Sequence, residues 1–209
     1  MTTDCAVSSC PQRSTTVFDQ AIAAGHTAGV YAEDMTSNCQ PSGSGAGLYA
    51  VRHTAWAYFT NATSRKNCLA FQVPSGSAGG GRFHDDVVAG KLPNVGWLIP
   101  NFCNDAHDSD CTLTRADTWL RDMLDLVFAL PDWKSGELAV VITADEDEGS
   151  GGNRVLTVVA HPDLSGVAVG THLDHYSLTR FQKDVVGGGY LGQAGSAADL
   201  AAAFGLTTG

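Results

Sequence analysis

Residues 138–149 (LAVVITADEDEG) constrain the fold and the chemistry of this chain more than any other stretch. The first six residues are apolar or β-branched, and such a run is typical of a buried strand in a parallel sheet. Residues 145–148 are all acidic. Taken alone, such an acidic run is more typical of a solvated turn, although ligands bind at the carboxyl ends of such strands and a divalent cation would offset the repulsion. A metal site is the alternative interpretation, which depends on the rest of the chain.

The composition excludes several classes of protein. The 209 residues carry a net charge of −10, which argues against a nucleic-acid binder because phosphate contacts need clustered Lys and Arg. Hydrophobic residues make up 44% of the chain, which favours a packed core over disorder. No apolar run reaches the roughly 18 residues that span a bilayer. The first ten residues lack the features of a signal peptide, so we expect none in this chain.

Six cysteines at positions 5, 10, 39, 68, 103 and 111 indicate disulfides. None forms a CxxC pair, which argues against a zinc ribbon. Although several pairings are possible, we favour pairing between sequence neighbours: Cys5–Cys10, Cys39–Cys68 and Cys103–Cys111. Because disulfides persist in oxidising compartments, we expect a secreted or extracytoplasmic location.

Alternating strands and helices predict an α/β fold with a largely parallel sheet and helices on both faces. Hydrophobic periodicity and breakers predict helices over 14–25, 83–90, 114–130, 175–186 and 196–204, with Ser14 and Ser196 as N-caps. The predicted strands are 29–32, 92–100, 138–143 (as the central strand) and 155–160. Residues 48–59 are interpreted as irregular or weakly helical. We predict a single domain over 1–209, in which residues 37–82 form a loop-rich lid or insertion.

Two stretches near the ends of predicted strands carry candidate ligands. Residues 104–108 (NDAHD) hold Asp105, His107 and Asp108, and mixed carboxylate and imidazole ligands suit zinc or transition metals. A disulfide-tied polar loop whose Asn and Asp cap their own turns is the alternative. The second stretch contains Asp145 and Glu146 directly after the predicted central strand.

A third stretch, residues 172–177 (HLDHYS), lies at a predicted helix start. His175 or Ser177 would lie at the helix N-terminus, where backbone N–H groups favour anions. A structural histidine is the alternative. Three such stretches near strand–loop junctions make a shared site more probable than any one of them does.

Other motifs are excluded by their context. Residues 145–156 begin like a calcium loop, but the twelfth position is Leu156 instead of Glu. Residues 187–192 (GGGYLG) match GxGxxG but follow a predicted helix, so they do not indicate dinucleotide binding. The sequence contains no GxSxG nucleophile elbow and no Walker A motif.

Four segments together resemble the phosphoesterase family. They are residues 92–111 (LPNVGWLIPNFCNDAHDSDC), 138–149 (LAVVITADEDEG), 175–192 (HYSLTRFQKDVVGGGYLG) and 30–35 (VYAEDM). This family includes bacterial acid phosphatases, phospholipase C enzymes and phosphatidylinositol 3-phosphatase-like proteins, and it belongs to the alkaline-phosphatase-like superfamily. The resemblance extends from about residue 18 to about residue 206.

The resemblance implies a three-layer α/β/α sandwich and a metal-dependent hydrolase of phosphoric esters. Its substrate would be a phosphomonoester or a phosphoinositide, and a phospholipid headgroup is a possible ligand. The implied ligands of a divalent metal ion, of unspecified identity, are Asp145, Glu146, Asp105 and Asp108. His107 and His175 would be catalytic, because a histidine can bind phosphate or transfer a proton. Asp147 and Glu148 are interpreted as solvated loop residues.

The chain departs from the family pattern in its amino-terminal part. Family members carry an upstream Glu-Asn metal-binding pair and a Ser or Thr nucleophile, and neither is recognisable here. The resemblance therefore implies an N-terminally truncated, carboxyl-terminal portion of such an enzyme. The alternative function is a catalytically inactive remnant that binds metal or phosphate. A surface calcium-binding module, suggested only by the acidic run, is a third possibility.

Overall fold

The computed structural model describes residues 5–43, 47–107, 110–147 and 149–208, which form two compact units. Unit 1 lies within Met1–Val127 and Val186–Gly188, and unit 2 lies within Phe128–Val185 and Gly189–Gly209. The helices are α1 (Val17–Ala23), α2 (Ala62–Phe71), α3 (Arg82–Val88), α4 (Leu113–Phe128), α5 (Pro131–Lys134), α6 (His175–Val186) and α7 (Leu200–Phe204). The strands are β1 (Ala28–Ala32), β2 (Gln72–Pro74), β3 (Val95–Ile99), β4 (Val140–Ile142) and β5 (Val158–Ala160). The predicted α/β class is confirmed.

Unit 1 is built on a parallel sheet with the strand order β2-β1-β3. All five residues of β1 are buried, as expected for the middle strand of a covered parallel sheet. The register pairs Ala32 with Ile99 on one side and with Pro74 on the other. The three strands therefore end at the same edge, and the segments that follow them lie close together.

The second sheet, in unit 2, corrects the prediction for residues 138–143. Strand β4 pairs antiparallel with β5, with Val140 opposite Ala160 and Ile142 opposite Val158. The prediction of a central strand in a parallel sheet is therefore wrong for this segment. The described residues of the connection between β4 and β5 include no helix, and two strands joined without a crossover pair antiparallel. An apolar run by itself does not reveal the direction of its partner. The three-layer sandwich remains a prediction.

Two predicted N-caps are also wrong, although the helices they introduce are present. Helix α1 begins after Thr16 instead of Ser14, because Thr16 and Asp19 form a reciprocal capping box. Helix α7 begins after Asp199, whose side chain accepts a hydrogen bond from the backbone N–H of Ala202. Ser196 belongs to a preceding 3₁₀ turn.

Residues 37–82 contain more regular structure than the sequence indicates. They include α2 and β2, and β2 is an edge strand of the sheet in unit 1. Helix α2 buries Ser64, Asn67 and Cys68, so its buried face lacks the apolar stripe by which a helix is found in a sequence. Residues 48–59 form two 3₁₀ turns, Val51–His53 and Ala55–Tyr58. The lid function of this segment remains a prediction.

All three favoured disulfides are present: Cys5–Cys10, Cys39–Cys68 and Cys103–Cys111. They are compatible with an extracellular location. Among the helices of the described residues, none has the length and apolar character that a membrane span needs.

Candidate functional site

A polar cluster lies at the carboxyl edge of the sheet in unit 1. Glu33 and Asp34 directly follow β1, and the loop that begins at Asn101 follows β3. The Glu33 carboxylate accepts hydrogen bonds from the Asn101 backbone N–H (3.0 Å) and from Nδ2 of Asn104 (2.8 Å). Nδ2 of Asn101 donates to Asp34 at 2.8 Å. These bonds tie the loop after β3 to the end of β1.

Asn101 also shapes the loop that carries two predicted site residues. Its side chain is only 3% exposed, and its Oδ1 accepts hydrogen bonds from the backbone N–H groups of Cys103 and Asn104. An Asn that caps the backbone two and three residues ahead stabilises a tight turn. The turn leads directly to Asp105 and His107.

The structure brings Asp105 and His107 together and adds His53, from the first 3₁₀ turn, to them. Oδ1 of Asp105 accepts a hydrogen bond from the backbone N–H of His107 at 2.9 Å. Oδ2 of Asp105 lies 3.3 Å from Nδ1 of His53. The His53 and His107 ring centroids are 5.9 Å apart, and Phe102 contacts both rings. The side chains of His53 and Asp105 are 18% and 20% exposed, so both groups reach solvent.

Two arginines bring positive charge to this cluster. The Arg52 guanidinium lies over the Phe102 ring, 4.8 Å from its centroid, and Nε of Arg115 donates to Oδ1 of Asn104 at 2.9 Å. A cavity of about 430 Å³ opens beside Phe102, and Tyr49, Arg52 and Tyr58 contribute to its walls. The two guanidinium groups partly offset the three carboxylates of Glu33, Asp34 and Asp105 in the same part of unit 1.

The second group of predicted site residues lies in unit 2, where β4 ends. Asp145 and Glu146 follow β4 after two residues, and both are exposed. His175 is the first residue of α6, and its Nε2 lies 2.7 Å from the backbone oxygen of Asp145. Asp174 precedes α6, and its Oδ1 accepts the backbone N–H of Ser177 at 2.8 Å. The structure thus joins the second and third predicted motifs through a side chain and a carbonyl oxygen.

Asp147 organises the turn that follows and is not simply solvated. Its Oδ1 accepts the backbone N–H of Gly149 at 2.7 Å, and its Oδ2 accepts that of Asn153 at 2.8 Å. The Asn153 side chain accepts the Asp147 N–H in return. These donors favour the charged carboxylate and lower its pKa, with the Gly149 N–H contributing most.

Acidification is expected to release the turn around Asp147. The pKa of Asp147 in the folded protein lies below its ordinary value of 3.8. The carboxylate therefore contributes its full stabilisation above pH 3.8 and loses it as the pH falls through the pKa of the folded protein. We expect the NMR shifts of the Gly149 and Asn153 amides to titrate with a midpoint below 3.8. This titration should disappear in Asp147→Asn. It should persist in the control Asp163→Asn, because the Asp163 side chain is 84% exposed in the wild type. A midpoint at or above 3.8 would contradict the prediction.

Four of the predicted site residues thus form two pairs, Asp105 with His107 in unit 1 and Asp145 with His175 in unit 2, and Glu146 lies exposed beside Asp145. Asp108 and Glu148 lie outside the described residues. Within the part of the chain that the structure describes, no group of three or more His, Cys, Asp or Glu side chains is arranged to hold a metal ion.

Sequence reasoning did not identify His53 or Asn101 as part of a site. His53 lies among aromatic residues and is 52 positions from Asp105, so local sequence patterns do not indicate the contact between the two side chains. Asn101 offered one usable signal, because it directly follows a strand bounded by prolines, where a turn-forming residue is expected.

The profile of the Phosphoesterase family matches residues 3–187. A phosphatidylinositol-3-phosphatase of Mycobacterium tuberculosis (strain ATCC 25618 / H37Rv) is 29% identical over 169 residues, which are 79% of this chain and 50% of that protein. No solved structure matches the chain significantly.

Two fungal relatives match a shorter part of the chain. A probable acid phosphatase of Kluyveromyces lactis is 34% identical over 100 residues, which are 46% of this chain and 23% of that protein. An acid phosphatase of Aspergillus fumigatus is 32% identical over 103 residues, or 46% of this chain and 22% of that protein. The chain therefore spans half or less of the length of these curated relatives.

Proposed function

The chain belongs to the Phosphoesterase family, and from this membership we propose that it hydrolyses phosphoric esters with the help of a divalent metal ion. The family match is the observation that carries the proposal. The similarity to proteins named as phosphatases supports a phosphomonoester or a phosphoinositide as substrate.

Asp145 and Glu146 would hold the metal ion. Both are exposed at the end of β4, and carboxylate oxygens are donors that Mg²⁺, Mn²⁺ and Zn²⁺ accept. The donor set therefore fits a divalent cation in chemical type, and further ligands would have to complete it. When bound, such an ion neutralises phosphate charge and stabilises the charge that develops in the transition state.

Within unit 1, His53 and Asp105 have the arrangement of a proton-transfer pair. With Asp105 facing Nδ1 of His53, the carboxylate favours the tautomer with its proton on Nδ1 and leaves Nε2 free to accept or return a proton. His107 lies beside it and would bind a phosphate oxygen or share this work. The carboxylate would thereby orient the imidazole as the third group orients the base in hydrolytic triads.

Hydrolysis of p-nitrophenyl phosphate by the purified chain, at acid and neutral pH with divalent metals, tests the proposal. We expect Asp145→Ala to lower kcat/KM by about 100-fold, since a metal-supported transition state loses several kcal/mol of stabilisation. Glu137→Ala is the matched control, because this exposed carboxylate precedes β4 in the same unit and its loss should leave the rate unchanged.

Equal and negligible activity in the wild type and in Asp145→Ala would contradict hydrolysis by this chain. Calorimetric titration with Mn²⁺ would then separate an inactive binding protein from a purely structural one. Binding without turnover would favour the inactive binding protein, and no binding would favour the structural one.

The substrate is tested by comparing a soluble monoester with a lipid. We propose a phosphoinositide because of the similarity to a protein named as a phosphatidylinositol-3-phosphatase. Release of phosphate from vesicles that contain phosphatidylinositol 3-phosphate should exceed release from p-nitrophenyl phosphate at equal phosphate concentration. The opposite order would favour a general acid phosphatase. The disulfides also lead us to propose that the protein acts outside the cytoplasm.

A further inference from the structure

The imidazole of His175 makes a short polar contact with the main chain of Asp145. We propose that His175 is a positioning residue, which holds the Asp145–Glu146 segment in place through the Asp145 carbonyl group. The inference rests on the proposed function for the importance of Asp145 and Glu146, but the contact itself does not depend on it. It also changes the role that the sequence predicts for His175, which is that of a catalytic group.

The chemistry of the contact sets the proton on the ring. A carbonyl oxygen only accepts hydrogen bonds, and it lies 2.7 Å from Nε2 of His175. Nε2 therefore carries the proton and donates it. A nitrogen that donates in this way has no lone pair for a metal ion and is not a base. The contact therefore occupies the ring nitrogen that reaches furthest from the backbone.

The first turn of α6, from which the exposed His175 side chain extends, is capped. Asp174 and Ser177 cap the start of α6 through two reciprocal hydrogen bonds, from the Ser177 N–H to Oδ1 of Asp174 and from the Asp174 N–H to Oγ of Ser177. Ser177 is only 1% exposed, and Oγ1 of Thr179 donates to the His175 carbonyl at 2.9 Å. A capped helix of 12 residues is a rigid base from which a side chain can restrain a neighbouring segment.

The segment that His175 contacts lies between two other restraints. The β4–β5 ladder ends at Ile142, and the Thr143 and Thr157 hydroxyls then contact each other at 2.8 Å. Beyond Asp145, the turn around Asp147 begins. The contact from His175 meets the chain where it has left the ladder and has not yet entered the turn. Residues that orient ligands in this way contribute to metal affinity without touching the ion.

Two substitutions at position 175 separate positioning from direct chemistry. His175→Gln keeps an N–H donor at about the same reach but has no imidazole to transfer a proton or bind a metal. His175→Ala removes the donor. His172→Ala is the matched control, because His172 is an exposed histidine three residues earlier in the same unit.

The first measurement is hydrogen exchange of peptides that cover residues 143–149 in the metal-free protein, and it is independent of activity. We expect exchange to be about tenfold faster in His175→Ala and within about threefold of wild type in His175→Gln and His172→Ala. Unchanged exchange in His175→Ala would overturn the proposal, whatever the activity of the protein. Far-UV circular dichroism of each variant establishes that α6 is retained.

The second measurement is calorimetric titration with Mn²⁺ alone. We expect His175→Ala to weaken binding by about 10- to 100-fold and His175→Gln to restore most of it. If His175→Gln loses as much affinity as His175→Ala while exchange is normal, the imidazole acts directly and the positioning role is wrong. If wild type binds no Mn²⁺ but the exchange result is as expected, the proposed function fails and the positioning role stands.

Discussion

Replacement of Asp19 by alanine is expected to lower the free energy of unfolding by about 3–5 kcal/mol, because it leaves several buried donors without an acceptor. The Asp19 side chain is only 3% exposed. Its carboxylate accepts hydrogen bonds from the main chain and hydroxyl of Thr16, from the Ser64 hydroxyl, from Nε1 of Trp56 and from Nδ2 of Asn67. Hydrogen bonds to a charged group contribute about 1.5–3 kcal/mol each, and their sum is reduced because they share one acceptor.

Urea denaturation followed by tryptophan fluorescence measures this loss, and Trp56 reports directly on the network. Asp19→Asn should lose less than Asp19→Ala, since the amide keeps one acceptor oxygen and the volume of the side chain. Asp125→Ala is the matched control, because Asp125 is a solvent-exposed aspartate on α4, and it should change stability by less than about 0.5 kcal/mol. A decrease in the free energy of unfolding of less than about 1 kcal/mol in Asp19→Ala would contradict the prediction.

Removal of the Cys39–Cys68 disulfide by a double alanine substitution is expected to lower the free energy of unfolding by about 3–4 kcal/mol. The two cysteines are 29 positions apart and both are fully buried. Closing a loop of about 30 residues lowers the conformational entropy of the unfolded chain, and the free-energy equivalent of that entropy is roughly 3–4 kcal/mol. The disulfide also links α2 to the segment whose Cys39 N–H donates to the carbonyl oxygen of Gln72 in β2.

The Cys5–Cys10 disulfide is the control for this effect, because its cysteines are only 5 positions apart. The same chain-entropy relation gives about 2 kcal/mol for its removal. Urea denaturation of the two double variants under identical conditions tests the difference. Equal losses, or a larger loss for the short loop, would contradict the chain-entropy explanation.

The positions of the candidate residues along the strands and helices were predicted, but the contacts between them were not. The motifs around Asp105, Asp145 and His175 lie where strands and helices begin or end, so turn-forming and apolar patterns place them correctly. The contact between His53 and Asp105 depends on the folding of residues 37–82, where the polar buried face of α2 conceals regular structure. The tie between His175 and Asp145 joins residues 30 positions apart, and local patterns carry no information about it.

The sequence by itself determined the mixed α/β class and the bounds of α6, because these depend on local patterns. It also indicated the family through several motifs together and favoured the pairing between neighbouring cysteines. Only the tertiary structure decided that β4 runs antiparallel to β5, since an apolar run is equally compatible with either direction. The tertiary structure also changed the interpretation of the acidic residues after β4. Asp147 shapes a turn, and His175 contacts the main chain of Asp145 instead of its carboxylate. These contacts depend on which segments meet in space, which no local pattern specifies.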